Sequence, residues 1–275
     1  MGVLIAAFLL FVAGSQVQGQ LRRNAAVQPV AEATQGAAFV SLGMRYETDV
    51  RFPLSGLQGD LTSAPYIHLA YSLSDRSVFE VRGTAWQMLS VKSSQENPAV
   101  LLDPGVTDGS TADVGDFELS FSFLPIGSPS GFSAGAHIVS KLPNTDETKG
   151  IGPNTTDVTI AGLFSWGAQN WRATGWIGVG ILEAPIKSFE QNDVLSYAVE
   201  WLYRMNEHLR VAVGARGRTS TRGVVPLGTE DLGEFLASGE WKTGQLLLDV
   251  GFGHGFTQNS SDWLLEGGMT WVLAR

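Results

Sequence analysis

Hydrophobic and polar residues alternate along most of this chain. Between Phe117 and Phe123 the sequence reads Phe-Glu-Leu-Ser-Phe-Ser-Phe, so every second residue is large and apolar. Because successive side chains of a β-strand point to opposite faces, such a segment predicts a strand with one apolar and one polar face. The pattern predicts about twelve strands, at residues 38–47, 65–74, 77–87, 115–124, 131–141, 156–166, 170–181, 194–204, 208–218, 232–238, 243–254 and 262–273.

The connections between these strands alternate in length. The long ones are 48–64, 88–114, 142–155, 182–193 and 219–231, and the short ones between them lie near 75, 128, 168 and 206. Only the last two connections, 239–242 and 255–261, are of similar size. Long loops at one end and tight turns at the other are typical of outer-membrane barrels. We therefore predict an all-β fold, an antiparallel transmembrane β-barrel of about 12 strands over residues 37–275, with both termini at the short-turn end.

The first 36 residues lack this alternation. An apolar run from Val3 to Ala13 is followed by the small residues Val17 and Gly19, which is typical of a secretory signal peptide cut after Gly19. The run is too short to cross a bilayer as a helix. We predict a cleaved signal peptide at 1–19, a flexible periplasmic segment at 20–36, and export to the bacterial outer membrane.

Alternation alone does not say which face of the strands meets lipid. Charged residues make up only 16% of the chain, against roughly 25% in an average soluble domain. The apolar face is bulky, and many of its aromatic residues lie near strand ends, where a membrane barrel carries its aromatic girdles. These features favour an apolar face that points to lipid. A secreted β-sandwich or a soluble barrel is the alternative.

The polar face then lines the lumen and supplies the candidate permeation residues. These are Arg45, Glu80, Arg82, Glu118, His137, Lys141, Arg172, Glu200, Arg204, Arg210, Arg216, Arg218, Asp249 and Glu266. Opposed arginines and glutamates on such a wall either pair structurally or form a constriction that selects solutes by charge.

One arc of this wall is predicted to be rich in arginine. Five arginines, at positions 172, 204, 210, 216 and 218, face three acids, at positions 200, 249 and 266. An unpaired guanidinium is costly to bury dry, so water or an anion should accompany it. This count predicts that an open pore prefers anions.

The sequence predicts no catalytic residue, cofactor or metal site. Absence of cysteine excludes disulfides and cysteine metal ligands. His68 and His137 share the polar face with Ser72 and Ser133, so a Ser–His lipid hydrolase in the wall is a remote alternative without a nucleophile motif. The acidic loops match no calcium-loop spacing. They are read as solvated charge, or as carboxylates that bind divalent cations bridging to lipopolysaccharide phosphates.

Two segments of the chain carry motifs of a known family. The first is Lys141-Leu142-Pro143-Asn144-Thr145-Asp146, followed by Gly150-Ile151-Gly152 and Asp157; the second comprises Gly255-Phe256-Thr257, Ser260-Ser261-Asp262-Trp263 and Gly267-Gly268-Met269-Thr270. Both resemble an outer-membrane family linked to the meta-pathway of phenol degradation. The resemblance covers residues 115–273, and this chain departs from it with Asn144-Thr145 where the family has Thr-Gly. It implies a 12-strand-like barrel, with uptake of hydrophobic compounds proposed for the family.

Two classes of function fit these features. One is a passive channel or uptake porin for small molecules, including hydrophobic or aromatic ones; the other is a structural or surface-interaction barrel whose lumen is closed. We expect outer-membrane lipids, lipopolysaccharide and the barrel-assembly machinery as partners, and a small solute if the lumen is open. The net charge of −9 argues against nucleic acid.

Overall fold

The computed structural model of the chain describes residues 35–128, 131–186 and 190–273. The predicted signal peptide and residues 20–34 of the predicted periplasmic segment lie outside the described residues. Within these three ranges, no helix is long and apolar enough to cross a membrane. The strands are β1 (Ala38–Phe52), β2 (Leu57–Ser74), β3 (Ser77–Thr84), β4 (Gln87–Ser93), β5 (Ser110–Asp113), β6 (Phe117–Gly127), β7 (Phe132–Leu142), β8 (Asp157–Gly167), β9 (Trp171–Glu183), β10 (Gln191–Arg204), β11 (Leu209–Ser220), β12 (Leu232–Thr243), β13 (Leu246–Gly255) and β14 (Trp263–Leu273).

These strands form one closed antiparallel barrel. Consecutive strands from β6 to β14 pair with each other, and β1 closes the barrel by pairing with both β14 and β2. β3 and β4 both pair with β2, while β6 pairs with β3 and β5 with β4. Thus β3–β4 and β5–β6 are each the two halves of one barrel strand. The barrel therefore has twelve strands, as the sequence predicts.

Three predicted loops are wrong in extent. The loop predicted at 48–64 is mostly strand, because β1 and β2 stay paired up to Phe52↔Leu57 and leave only a four-residue turn. The loop predicted at 88–114 contains most of β4 and all of β5. The connection predicted at 239–242 lies inside β12, and the true turn is Gly244-Gln245. With this short turn, the alternation of long and short connections continues to the end of the barrel.

The long-loop end is covered by packed loops. Loop 94–109 and loop 143–156 rest on the extended β1–β2 hairpin and on β4, where Leu57, Leu61, Leu89, Val106 and Ile151 form a buried apolar cluster. Hydrogen bonds fix the contact, among them Ser55 Oγ to the Gly150 carbonyl at 2.6 Å and Thr111 Oγ1 to the Lys149 carbonyl at 2.9 Å. A short 3-10 helix, Glu147–Lys149, lies within the second loop.

The outer surface of the barrel is apolar. A continuous row of exposed side chains crosses six neighbouring strands, in the order Phe79, Phe121, Ile138, Ile160, Val179 and Leu195. Exposed aromatic residues collect toward the short-turn end, among them Tyr71, Phe132, Trp166, Trp201, Tyr203, Trp241 and Trp271. An apolar belt flanked by aromatic residues is the surface of a membrane barrel, whereas a soluble protein rarely exposes an apolar patch of this extent.

Candidate solute pathway in the barrel lumen

Every predicted lumen residue occupies an inward-facing position of its strand. The fourteen residues alternate with the exposed apolar positions, and five of them are buried: Glu80, His137, Glu200, Arg210 and Glu266. Arg45, Arg82, Glu118, Lys141, Arg216 and Arg218 line an internal cavity. Their role in permeation stays a prediction.

Most charges on the loop-side half of the wall are paired across adjacent strands. Arg45 contacts Glu266 at 3.1 Å between β1 and β14, and Arg82 contacts Glu118 at 2.6 Å between β3 and β6. Between β7 and β8, Lys141 lies 3.1 Å from Asp157, with Asp116 at 3.6 Å. Replacing one partner of such a pair by an uncharged residue is costly, because the remaining charge would stay buried without its counterion.

Besides Asp157, four carboxylates in the lumen escape the sequence-based prediction of the wall. Glu47 and Glu234 lie on β1 and β12, and Glu234 contacts Arg216 at 2.8 Å. Glu240 lies inside the extended β12 and is buried. Asp116 lies just before β6, beside Lys141. The inward position of Glu234 could be predicted from the sequence, because Glu234 falls within the predicted strand 232–238 and alternates with the exposed Phe235.

These additions overturn the predicted excess of arginine. The arc from β9 to β14 carries five arginines and Lys242 and, with Glu234 and Glu240, five carboxylates instead of three. Arg216 is ion-paired, and Arg218 donates its Nε–H to the Glu230 carbonyl at 2.9 Å. The premise for an anion-selective pore is therefore wrong.

Two cavities follow one another along the lumen. The first, which we call the chamber, has a volume of about 410 Å³ and is walled by Arg45, Arg82, Glu118, Trp176 and Arg216 among others. The second, which we call the vestibule, has a volume of about 320 Å³ and opens among the loops. The linings of the two cavities share six residues: Asp116, Lys141, Asp157, Arg218, Leu232 and Glu234. The vestibule therefore adjoins the chamber.

One side of the lumen is apolar at the short-turn end, which the sequence did not predict. Inward-facing Phe39, Val78, Leu124, Leu163, Leu247 and Val272 are all less than 10% exposed and belong to one apolar cluster, against which Trp176 packs. Polar lumen residues are the rule in barrels, and on the β9–β12 side of this end Arg172, Arg204, Arg210 and Glu240 face inward. The short-turn half of the lumen, which we call the lower half, therefore has an apolar side and a charged side.

The lumen histidines do not assemble a catalytic triad among the described residues. His137 Nδ1 lies 2.8 Å from Ser122 Oγ, whereas the acid Glu80 bonds His68 at 2.8 Å and Ser120 at 3.2 Å. The acid and the Ser–His pair therefore belong to separate hydrogen-bonded groups. Neither histidine bonds the serines noted from the sequence, since Ser133 donates to the Ser128 carbonyl and Ser72 Oγ is unpaired. In the same part of the chain, no group of three or more potential ligand residues is placed to hold a metal ion.

Comparison with known proteins identifies the fold. Neither a protein-family model nor a curated protein matches the sequence. Among solved structures, an outer membrane channel from Pseudomonas putida F1 shares 16% identity with a TM-score of 0.58, over 87% of this chain and 96% of that one. NanC porin shares 10% identity with a TM-score of 0.48, over 85% and 98% of the two chains. The translocator domain of the autotransporter NalP from Neisseria meningitidis shares 7% identity with a TM-score of 0.47, over 86% and 88%.

The similarity to the Pseudomonas channel extends over nearly the full length of both chains. It agrees with the closed register of the sheet and with the apolar belt on its outer surface. The chain has the fold of a twelve-stranded outer-membrane β-barrel.

Proposed function

We propose that this protein is a passive channel that admits small molecules through the outer membrane, hydrophobic or aromatic ones included. The observation that carries the proposal is the continuity of vestibule and chamber, which share six lining residues on the barrel axis. A structurally similar protein is itself described as an outer membrane channel. The cavity volumes suit single-ring organic molecules, since small-molecule sites typically measure about 300–1,000 Å³.

The composition of the pathway supports a solute with an apolar part. The vestibule is lined by Phe52, Leu54 and Pro153, and the lower lumen by the apolar cluster around Trp176. The apolar side of this lower half would contact the apolar part of a solute. The charged loop-side half of the lumen would orient a polar group of the solute as it enters.

Planar-bilayer recordings and liposome uptake test the channel directly. Folded protein should give discrete conductance steps, and liposomes that contain it should take up single-ring aromatic compounds faster than protein-free liposomes. A blocking variant, Leu163→Trp, adds bulk to the apolar cluster of the lower lumen and should slow uptake. Absence of conductance and uptake in folded wild type would contradict the channel.

A closed structural barrel is the second candidate. The observation in its favour is the apolar cluster at the short-turn end, whose side chains are nearly fully buried. For this candidate the loops would act as a surface for outer-membrane lipids and lipopolysaccharide, with assembly by the barrel-assembly machinery. Replacing Leu163 and Leu124 by Ala would then open a conductance that wild type lacks.

We further propose kinship with the meta-pathway family suggested by the sequence. Lys141 and Asp157, two residues of the shared motif, form a 3.1 Å ion pair between β7 and β8. Gly150, in the same motif, takes a left-handed backbone with φ of 74° at the end of the 3-10 helix. The ion pair and the left-handed glycine therefore give these motif residues a role in the fold. A family-wide test would exchange the 141–157 segment between this chain and a member, and measure whether the barrel still folds.

A further inference from the structure

We infer that the vestibule binds small zwitterions with an apolar body, the simplest being an amino acid with an aromatic side chain. This inference rests on the proposed channel and names the class of solute for it. It depends on two side chains of opposite charge, Glu47 and Arg218, that face the same cavity.

The other deep charges of the vestibule are already engaged. Lys141 is held by Asp157 and Asp116, and Glu234 is held by Arg216. These contacts are made within the wall and neutralise most of its charge. They leave little capacity for a ligand.

Glu47 and Arg218 are different. Among the described residues, the Glu47 carboxylate has neither a hydrogen bond nor an ion pair, although it is inward-facing and half-buried. Arg218 uses only its Nε–H, to the Glu230 carbonyl at 2.9 Å. Both terminal nitrogens of the guanidinium therefore remain available for a bidentate contact with a carboxylate.

The barrel places these two groups on separate parts of its wall. Glu47 is on β1 and Arg218 on β11, with β14, β13 and β12 between them. The two side chains are thus held apart and do not neutralise each other directly. A ligand that lies between them, with an ammonium toward Glu47 and a carboxylate toward Arg218, would supply a counterion to both.

Ligands with a single charge satisfy only half of this arrangement. An anion would leave Glu47 without a direct contact and would enter past six carboxylates that line the vestibule with only three cationic side chains. A cation would leave the terminal nitrogens of Arg218 without a direct contact. The apolar body of the ligand would contact Phe52 and Leu54 at the tip of the β1–β2 hairpin and Pro185 in the loop after β9. A zwitterion is therefore the species that fits both the charges and the walls.

Four compounds of nearly equal size test this on the wild-type protein. They are phenylalanine, 3-phenylpropionate, 2-phenylethylamine and 2-phenylethanol, titrated by calorimetry into the detergent-folded protein. Phenylalanine should bind about tenfold more tightly than either singly charged compound, and 2-phenylethanol should bind weakest. Equal or tighter binding of a singly charged compound, or no binding of phenylalanine, would overturn the inference.

Substitutions of Glu47 and Arg218 test which of the two binds the ammonium of the ligand and which binds its carboxylate. Glu47→Gln should reduce phenylalanine affinity to that of 3-phenylpropionate, and Arg218→Gln should reduce it to that of 2-phenylethylamine. The matched controls Glu96→Gln and Arg222→Gln lie in long-end loops outside both cavities and should leave the ranking unchanged. A ranking unaffected by Glu47→Gln and Arg218→Gln would refute the assigned residues, once a heat-modifiable gel shift shows that both variants are folded.

Binding and transport can fail separately. Liposome uptake of phenylalanine is measured on the same preparation. The predicted ranking without uptake would retain the site and reject the channel, whereas uptake of all four compounds without a ranking would retain the channel and reject the site.

Discussion

Side chains on the two faces of each strand have different surroundings, with an exposed apolar surface on one face and the polar lumen on the other. Phe121 is 37% exposed and lies within the apolar row of the outer surface, whereas its neighbours Ser120 and Ser122 are buried in the wall. Those serines bond Glu80 and His137. A substitution therefore acts through lipid contact at one position and through lumen hydrogen bonds at the next.

Replacing Phe121 by Arg tests the outward face. We expect a loss of about 2–4 kcal/mol in folding free energy, because an exposed cation near the bilayer midplane is poorly solvated. Phe121→Leu keeps the surface apolar and should cost less than about 1.5 kcal/mol. Urea titrations in lipid vesicles, read by heat-modifiable migration, give both values. Equal costs would place Phe121 away from lipid.

Gly150 offers a second test at the level of one residue. Its φ is 74°, and an added Cβ would lie 2.9 Å from Ser55 Cβ and 2.8 Å from Leu57 Cδ1. Gly150→Ala should therefore cost the left-handed penalty of about 1–2 kcal/mol plus a steric clash that loosens loop 143–156. Gly105→Ala is the control, since its φ is 83° with open space around it. Amide hydrogen exchange of the 143–156 segment should increase in the first variant well beyond the second.

Period-two alternation identified the inward charges but not the inward apolar residues. Arg45, Arg82 and Arg216 were predictable, because a charge between two apolar neighbours on a membrane strand can only face inward. Leu247 and Val272 have apolar neighbours on both sides, so the alternation that marks a face is absent there. The apolar lower lumen therefore needed the three-dimensional register.

Whole strands were predicted best where they cross the membrane. Beyond it, β1 and β2 continue as a hairpin through Asp49, Gly59 and Asp60, residues that read as loop. No lipid contacts this part, so nothing requires an apolar outer face and the sequence signal fades. The vestibule is built from several such loops and from the hairpin, so its residues could not be assembled from single-strand patterns.

The 3-10 helix in loop 143–156 makes the loop sensitive to acid. The Asp146 carboxylate accepts hydrogen bonds from Thr148 N at 3.0 Å and Thr148 Oγ1 at 2.8 Å, and these bonds lower the pKa of Asp146. A lowered pKa in the folded state means that the cap stabilises the loop above the ordinary Asp value of about 3.9. That stabilisation is lost as the pH falls through the lowered value.

Titration of the Thr148 amide signal by NMR checks this cap. The signal should move with a midpoint below about 3.9, and Asp146→Asn should remove the transition. A midpoint at or above the ordinary value would show that the cap does not form in solution. Between pH 5 and 8 the loop should be unaffected.

At the scale of the molecule, the charge of the pathway is divided between its two cavities. The chamber is lined by five cationic side chains and four carboxylates, namely Arg45, Arg82, Lys141, Arg216 and Arg218 with Asp116, Glu118, Asp157 and Glu234. The vestibule is lined by three cationic side chains, Arg51, Lys141 and Arg218, and by six carboxylates, an excess of three negative charges. Ions that enter from the loop end therefore meet a negative potential first and a nearly neutral wall after it.

An open pore should therefore prefer cations weakly, and the preference should depend on salt. At about 0.1 M ionic strength the Debye length of about 10 Å spans the vestibule, whereas at 1 M it shrinks to about 3 Å. Reversal potentials under a potassium chloride gradient should have the cation sign at the lower concentrations and approach zero at the higher ones. Replacing Glu147 and Glu230 by Gln removes two of the excess charges and should reduce the potential, whereas Glu96→Gln, outside the cavities, should not. An anion preference in wild type would mean that the arginines of the lumen wall, and not the vestibule carboxylates, control permeation.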